Sequence, residues 1–246
     1  MLLARWCQIR FPHIETERNA ISAVLSSSPA SHHILIDGAL ACPDTPPRTD
    51  CPRRLPLVTL ETERLILRRW HEADVAPAAA INADPVVMRW IAAGPMTAAD
   101  SLLYLIRNDA YFDSHGFGIW AVERKADQRM VGFAGLRLFD RPRHPLGTCT
   151  EAAWRFAADC WGQGYASEAA TAAFRDGFNR CGIATITSWA SPQNLPSQNL
   201  MHRIGMKRRP ERDFEAPTLP KGHALRAQLV FTADRQSWPA DRAAST

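Results

Sequence analysis

Residues 161–178, WGQGYASEAATAAFRDGF, set two glycines one residue apart against the start of an amphipathic helix. Gly162 and Gly164 lack a Cβ, so the chain there can take dihedrals closed to other residues and approach an anion closely. The N–H groups of Tyr165, Ala166 and Ser167 follow at a helix N-terminus, where unpaired donors and the positive end of the helix dipole favour negative charge. The chemistry this spacing suits is the holding of a phosphorylated ligand. Two other phosphate-binding patterns fail on spacing: the dinucleotide fingerprint needs a third small residue at a set offset, and the P-loop needs Gly-Lys-Ser/Thr.

The elements around this turn must place it. Upstream, residues 149–159, CTEAAWRFAAD, carry a strand pattern that runs straight into the glycines, and downstream Ala169, Ala170, Ala173, Phe174, Gly177 and Phe178 form one apolar stripe of a helix. VTLETERLILRRW alternates Leu60, Leu65 and Leu67 with charged neighbours as a half-buried strand would. Two helices are expected next, in HEADVAPAAAINAD and in TAADSLLYLIRNDAYFDSH, the second opened by Thr97 as N-cap with Asp100 three residues on. Residues 117–123 and 130–139 flank the polar turn RKADQR as a hairpin. After the glycine helix come a β-branched strand, IATITSWA, a short helix, SQNLMHRIGM, ending at Gly205, and a closing strand in HALRAQLVFTA. The resulting order, βααβββαβα(β)β, is that of a mixed α/β (α+β) domain.

The boundaries follow from composition. Residues 1–56 hold seven of the eighteen prolines and three of the six cysteines, including CPDTPPRTDCPRRLP, and are read as a disordered or atypical N-terminal extension. Its Ser and Arg content permits a transit peptide, which Glu15 and Glu17 oppose. The folded domain is expected over 57–238, with a flexible tail over 239–246. A net charge of +4, without a sustained basic run, excludes a dedicated nucleic-acid binder. Six cysteines without CxxC pairs suit a cytoplasmic chain with free thiols and no zinc site, and no window approaches the ~18 apolar residues of a membrane span.

Joined to NLPSQNLMHRIGM at 194–206, the glycine stretch resembles the GNAT acetyltransferases, and specifically their RimJ/RimL-like branch. LETERLILRRW resembles that branch's first strand, and EAAWRFAADCWGQGYASEA resembles its EVGWRLAPEYWGQGYATEA pattern. The likeness continues through Asn194, Ser197, Gly205 and DFEAPTLPKGHALR, and covers about residues 57–235. It implies a mostly antiparallel sheet splayed open around an acetyl-CoA cleft and flanked by helices. It further implies that Trp161, Gly162, Gln163, Gly164, Tyr165, Ala166 and Ser167 hold the pyrophosphate, and that 154–158 line the pantetheine arm as an added strand. Phe156, Ala157 and Ala158 are the cofactor-binding residues of that strand; an N–H near Phe156 would also stabilise the oxyanion. Asn194 would hydrogen-bond the pantetheine or shape the turn before Pro196.

The implied reaction needs a deprotonated primary amine and a proton for the departing thiolate. An α-amine, with a pKa near ~7.7 to 8.0, is partly neutral at pH 7, whereas a lysine near ~10.4 needs more help. Glu151 matches a family carboxylate and is the candidate base acting through water; the alternative is an exposed or salt-bridged strand glutamate. Many family members carry a tyrosine as the acid that protonates CoA; this chain has Met201 there, leaving Ser197, whose other role is a helix N-cap. The acceptor expected from the resemblance is a protein N-terminal α-amine, with a small amine or antibiotic as the rival. A CoA-binding protein without turnover is a further alternative, and the resemblance allows a homodimer. His115, His202 and His223 could each approach a substrate, and of these only His223 falls in a stretch, LPKGHALR, that resembles one of the family's; it is kept as a weaker substrate-site candidate. The run KRRPER at 207–212 reads as a solvated turn, and Trp90, Trp120, Trp154 and Trp189 as core or cleft walls.

Overall fold

The computed structural model describes residues 58–141 and 144–239. The expectation for residues 1–56 lies outside the described residues, as do 57 and 240–246. Among the described residues the helices and strands follow in order: β1 (Leu60–Glu61), β2 (Leu65–Arg68), α1 (Val75–Ala83), α2 (Pro85–Met88), α3 (Ala98–His115), β3 (Ile119–Arg124), β4 (Arg129–Asp140), β5 (Thr148–Phe156), α4 (Tyr165–Asn179), β6 (Thr185–Ala190), α5 (Leu195–Arg203), β7 (Lys207–Arg208), β8 (Phe214–Glu215) and β9 (Ala227–Asp234).

The strands form one sheet in the order β1-β2-β3-β4-β5-β6-β9-β7, with β8 also paired to β9. Every pairing is antiparallel except β5 with β6, which is parallel and spans only Thr150↔Ile186 and Glu151↔Thr187. β5 continues five residues past that contact, so the sheet splits there into two arms. This is the mixed, mostly antiparallel, splayed sheet that the sequence led us to expect.

Helices cover the two faces unequally. On one face, Leu102, Leu105 and Ile106 of α3 and Ala78 and Ile81 of α1 bury against Ile119, Ala121 and Phe133. On the other, the expected stripe of α4 is buried, and α4 approaches so closely that a Cβ on Gly177 would lie 2.4 Å from Leu136 Cδ1. Thr97 caps α3 as expected, its Oγ1 accepting from the Asp100 N–H at 3.1 Å. Gly116 ends that helix in the left-handed region at φ 74°. Arg69 Nε donates to Asp109 Oδ1 at 2.8 Å and ties the end of β2 to α3.

Two expectations need correcting. The single first strand is a tight hairpin, β1–β2, because Thr62 Oγ1 accepts the Leu65 N–H at 3.0 Å and turns the chain, pairing Leu60 with Leu67. The run at 207–212 is a solvated turn only over Pro210–Arg212: Lys207 and Arg208 pair with β9, Arg208 is ion-paired with Asp213, and Arg209 Nη2 lies 3.0 Å from Asp234 Oδ2. One of those carboxylates, Asp234, is distant in the sequence; the other, Asp213, lies five residues on.

Candidate active site

The split leaves one edge of β5 open. Ala157 N–H donates to Val131 O at 3.0 Å, so the peptide groups of 153, 155 and 157 turn toward β4, and those of 152, 154 and 156 turn toward the gap. Two contacts agree with this parity: the Ala152 carbonyl accepts Ser188 Oγ at 3.1 Å, and the Phe156 carbonyl accepts Trp161 Nε1 at 2.9 Å. The peptide groups of Trp154 and the N–H of Phe156 therefore face the gap between the arms. An extended chain laid there finds an acceptor and two donors at strand spacing.

β5 runs directly into the glycine turn. Gly162 and Gly164 sit at φ 74° and 80°, in the left-handed region, and Gly164 is the N-cap of α4. No side chain caps that helix, so the first-turn N–H groups of Tyr165, Ala166 and Ser167 have no capping partner. The first-turn carboxylate that would compete with an anion is turned away. Glu168 accepts from Thr62 Oγ1 at 2.6 Å and from the Arg64 N–H at 2.9 Å. Burial alone would raise the Glu168 pKa, but the hydrogen bonds from Thr62 and Arg64 prevail and hold it below the ordinary carboxylate range. Arg64 also donates to Gln163 O at 2.9 Å and lies over the Tyr165 ring, adding positive charge beside the turn.

These parts open onto one cavity of about 770 Å³. Phe156, Trp161, Gly162, Gly164, Tyr165, Ala166, Ser167, Asn194, Ser197 and Glu151 all line it. Ala157, Ala158 and Gln163 do not: Ala157 and Ala158 pack on the α1–α3 side, and Gln163 Nε2 folds back onto Asp159 O at 2.9 Å. Trp90, Trp154 and Trp189 line the cavity as walls, and Trp120 is fully buried core.

Glu151 lies where β5 and β6 part, and Arg137 stands opposite it in register on β4. Arg137 Nε and Nη2 donate to the two carboxylate oxygens at 2.7 and 3.0 Å, with both residues only 8% exposed. The glutamate is thus salt-bridged and not an exposed strand residue. Such bidentate pairing fixes its orientation.

The cap at α5 is Asn194, not Ser197. Asn194 Oδ1 accepts the Ser197 N–H at 3.3 Å, and Ser197 lies inside the first helical turn. Pro196 fits the same turn, where its missing N–H costs nothing. Asn194→Ala is therefore expected to cost about 1 kcal/mol in urea unfolding, while Ser197→Ala stays within about 0.5 kcal/mol. Met201 is fully buried in the core beneath α5, so no hydroxyl stands in its place at the cavity.

None of the three histidines weighed from the sequence reaches the cavity. His115 stacks on Tyr111 at 4.0 Å, His202 meets Phe231 edge-on, and exposed His223 accepts the Leu225 N–H within its own turn. The histidine that does reach it is His144, in the loop between β4 and β5. No periodicity or motif marks that loop.

Among the described residues no cluster of His, Cys, Asp or Glu is suited to a metal ion, and no helix is long and apolar enough to cross a membrane. A sheet that splits beside an uncapped, glycine-opened helix is the layout of an enzyme that draws its donor from an acyl-CoA thioester. The model of the acetyltransferase (GNAT) domain family matches residues 64–207. The chain belongs to the GNAT acetyltransferases, a family of acetyl-CoA-dependent enzymes. It is 25% identical over 179 residues to the uncharacterized N-acetyltransferase YnaD of Bacillus subtilis, covering 73% of this chain and 98% of that one. It is also 25% identical over 185 residues to the FsC-acetyl coenzyme A-N(2)-transacetylase of Aspergillus fumigatus, covering 73% of this chain and 77% of the relative. Among solved structures, the Bacillus anthracis GNAT acetyltransferase superposes with a TM-score of 0.61 at 24% identity, over 73% of this chain and 99% of that one.

Proposed function

We propose that this acetyltransferase acts on a primary amine of the α-amino type, with a protein N-terminus as the first acceptor class, in the manner of RimJ/RimL-like enzymes. The observation that carries the reading is the open edge of β5 running into the turn at Gly162 and Gly164. Pantetheine would lie along Trp154 and Phe156, the pyrophosphate would meet the N–H groups of 165–167, and the thioester would then fall near the parting of β5 and β6. Of the two gap-facing N–H groups, that of Trp154 lies nearer the parting and, rather than that of Phe156, serves as the oxyanion donor of this scheme.

Both oxygens of Glu151 are engaged by Arg137, and that bears on the acceptor. Bidentate pairing with a guanidinium spends part of the carboxylate's acceptor capacity, leaving it to act through a held water rather than on the amine directly. Such indirect help suits an amine that is partly neutral already, at a pKa near ~7.7 to 8.0, better than a lysine near ~10.4. Glu151 takes the amine proton through water in this scheme, and Ser197, which faces the cavity, is the hydroxyl that returns one to the thiolate. Cys149 and Cys160 carry free thiols, in keeping with a cytoplasmic setting.

The test is a screen of N-terminal peptides, amino acids, polyamines and aminoglycosides, following release of free CoA. Turnover confined to ε-amines or aminoglycosides would overturn the α-amine reading. A small-amine acceptor is the second reading, favoured by the likeness to the Aspergillus N(2)-transacetylase. Tight acetyl-CoA binding without turnover on any acceptor would instead identify a non-catalytic protein, the outcome that buried Met201 favours. With the acceptor in hand, Glu151→Gln is expected to lower kcat/KM by about 10²-fold and to flatten its acid limb, as loss of a general base does. An unchanged pH profile would leave Glu151 only its ion pair with Arg137.

A further inference from the structure

The cavity does not end where β5 and β6 part. On the sheet face that carries Glu151, it continues over Phe139, His144, Trp189 and Phe214, four rings drawn from β4, the β4–β5 loop, β6 and β8. They interlock: His144 meets Phe139 and Phe214 edge-on at 4.7 Å each, and Trp189 meets Phe139 at 5.2 Å. Phe139 and Phe214 are buried, at 5% and 8% exposure, and back the half-buried rings of His144 and Trp189. Cys149 pairs with Phe139, seven residues before Phe156, so at about 3.3 Å per residue the wall stands about 23 Å along β5 from the end of the strand that leads into the glycine turn. That is the far end of the cavity from the phosphate site.

His144 has its chemistry set by one contact. Its Nδ1 accepts the Leu146 N–H at 3.2 Å, which assigns the neutral ring's proton to Nε2. Burial, and then the charge of Arg141, hold the imidazole below its ordinary 6.5, so it is neutral at pH 7. A neutral ring with Nδ1 occupied cannot serve as a base through Nε2. It can donate one hydrogen bond from a fixed position.

We propose that this wall selects the acceptor: the enzyme prefers amines bearing a flat aryl or indolyl group close to the amino nitrogen, which stacks on Trp189, and His144 Nε2–H donates to the acceptor's carbonyl oxygen. The proposal rests on the acetyltransferase reading and names the substrate class at the same site. Rigid rings fixed by one another offer a flat apolar ligand contact area at little cost in side-chain entropy. A polar donor held within such a wall discriminates against ligands that leave it unpaired.

The full chain, saturated with acetyl-CoA, is assayed with the amides of phenylalanine, tryptophan, leucine and alanine, and with phenethylamine, which lacks the carbonyl. The aryl amides are expected to exceed alanine amide in kcat/KM by about tenfold or more, the scale of apolar pocket discrimination. Trp189→Ala, or Trp189→Leu if the alanine variant melts below the assay temperature, abolishes that preference while the Kd of acetyl-CoA by calorimetry stays unchanged. His144→Phe keeps the ring packing and raises KM for the amides by about three- to tenfold, with no change for phenethylamine, as loss of one hydrogen bond requires. Equal rates for aryl and aliphatic amides overturn the proposal, as does acetyl-CoA binding with no acetylation of any of these amines. Failure to bind acetyl-CoA at all overturns the underlying reading as well.

Discussion

Arg137→Met is expected to destabilise the protein by about 3–5 kcal/mol, the scale of a buried ion pair broken from one side. The substitution leaves the Glu151 carboxylate, 8% exposed at the cavity wall, facing a thioether in place of a guanidinium. Arg137 and Glu151 face each other across β4 and β5, the two strands that carry the split, and each is 8% exposed. For a domain of this size, that loss lowers Tm by roughly 10 °C. Removing both charges together, as Arg137→Met with Glu151→Leu, is expected to restore much of the loss, since two charges then need no solvation in place of one. Chemical denaturation of both singles and the double gives the coupling energy. A single-variant cost under about 1 kcal/mol would place the pair among the weak surface bridges and remove its role in fixing the strands.

Gly164→Val is expected to weaken acetyl-CoA binding by at least about tenfold, equivalent to about 1.4 kcal/mol, with the rest of the fold intact. Gly164 sits at φ 80°, a conformation that costs a side-chain-bearing residue about 1–2 kcal/mol, and a β-branched one more. Its new Cβ would also stand 3.3 Å from Arg64 Nη2. The turn relieves both strains by rotating, and the rotation moves the N–H groups of 165–167 off the anion. Gly182→Val is the control. It carries the same kind of backbone strain, at φ 66°, with nothing within 4 Å of its Cβ, and lies outside the cavity lining. Calorimetry on the two variants separates loss of the phosphate site from general destabilisation; equal affinities would remove the turn from the binding site.

Much of the donor side was legible because it is local. A strand, a glycine turn and an amphipathic helix follow one another within residues 148–179, and each is signalled by periodicity or by a residue with special dihedral freedom. The cap of α3 at Thr97 was legible for the same reason. At α5 the choice between Asn194 and Ser197 was not, since both residue types cap helices and only the coordinates show which oxygen accepts which N–H. Ala157 and Ala158 illustrate another limit. Strand position suggests that they could reach pantetheine, but the last β4–β5 hydrogen bond spends the Ala157 N–H on Val131.

The sequence by itself determined the order of elements, the phosphate turn and the kinship that identifies the donor, because these depend on residues close in the chain. The tertiary structure alone decided that Glu151 is tied to Arg137, fourteen residues away, and that Met201 is sealed in the core. It alone brought Phe139, His144, Trp189 and Phe214 into one wall. Those four come from four segments whose spacing carries no period. Their meeting depends on how far β5 and β6 stay paired before the sheet opens, a long-range property of strand register that no local pattern encodes.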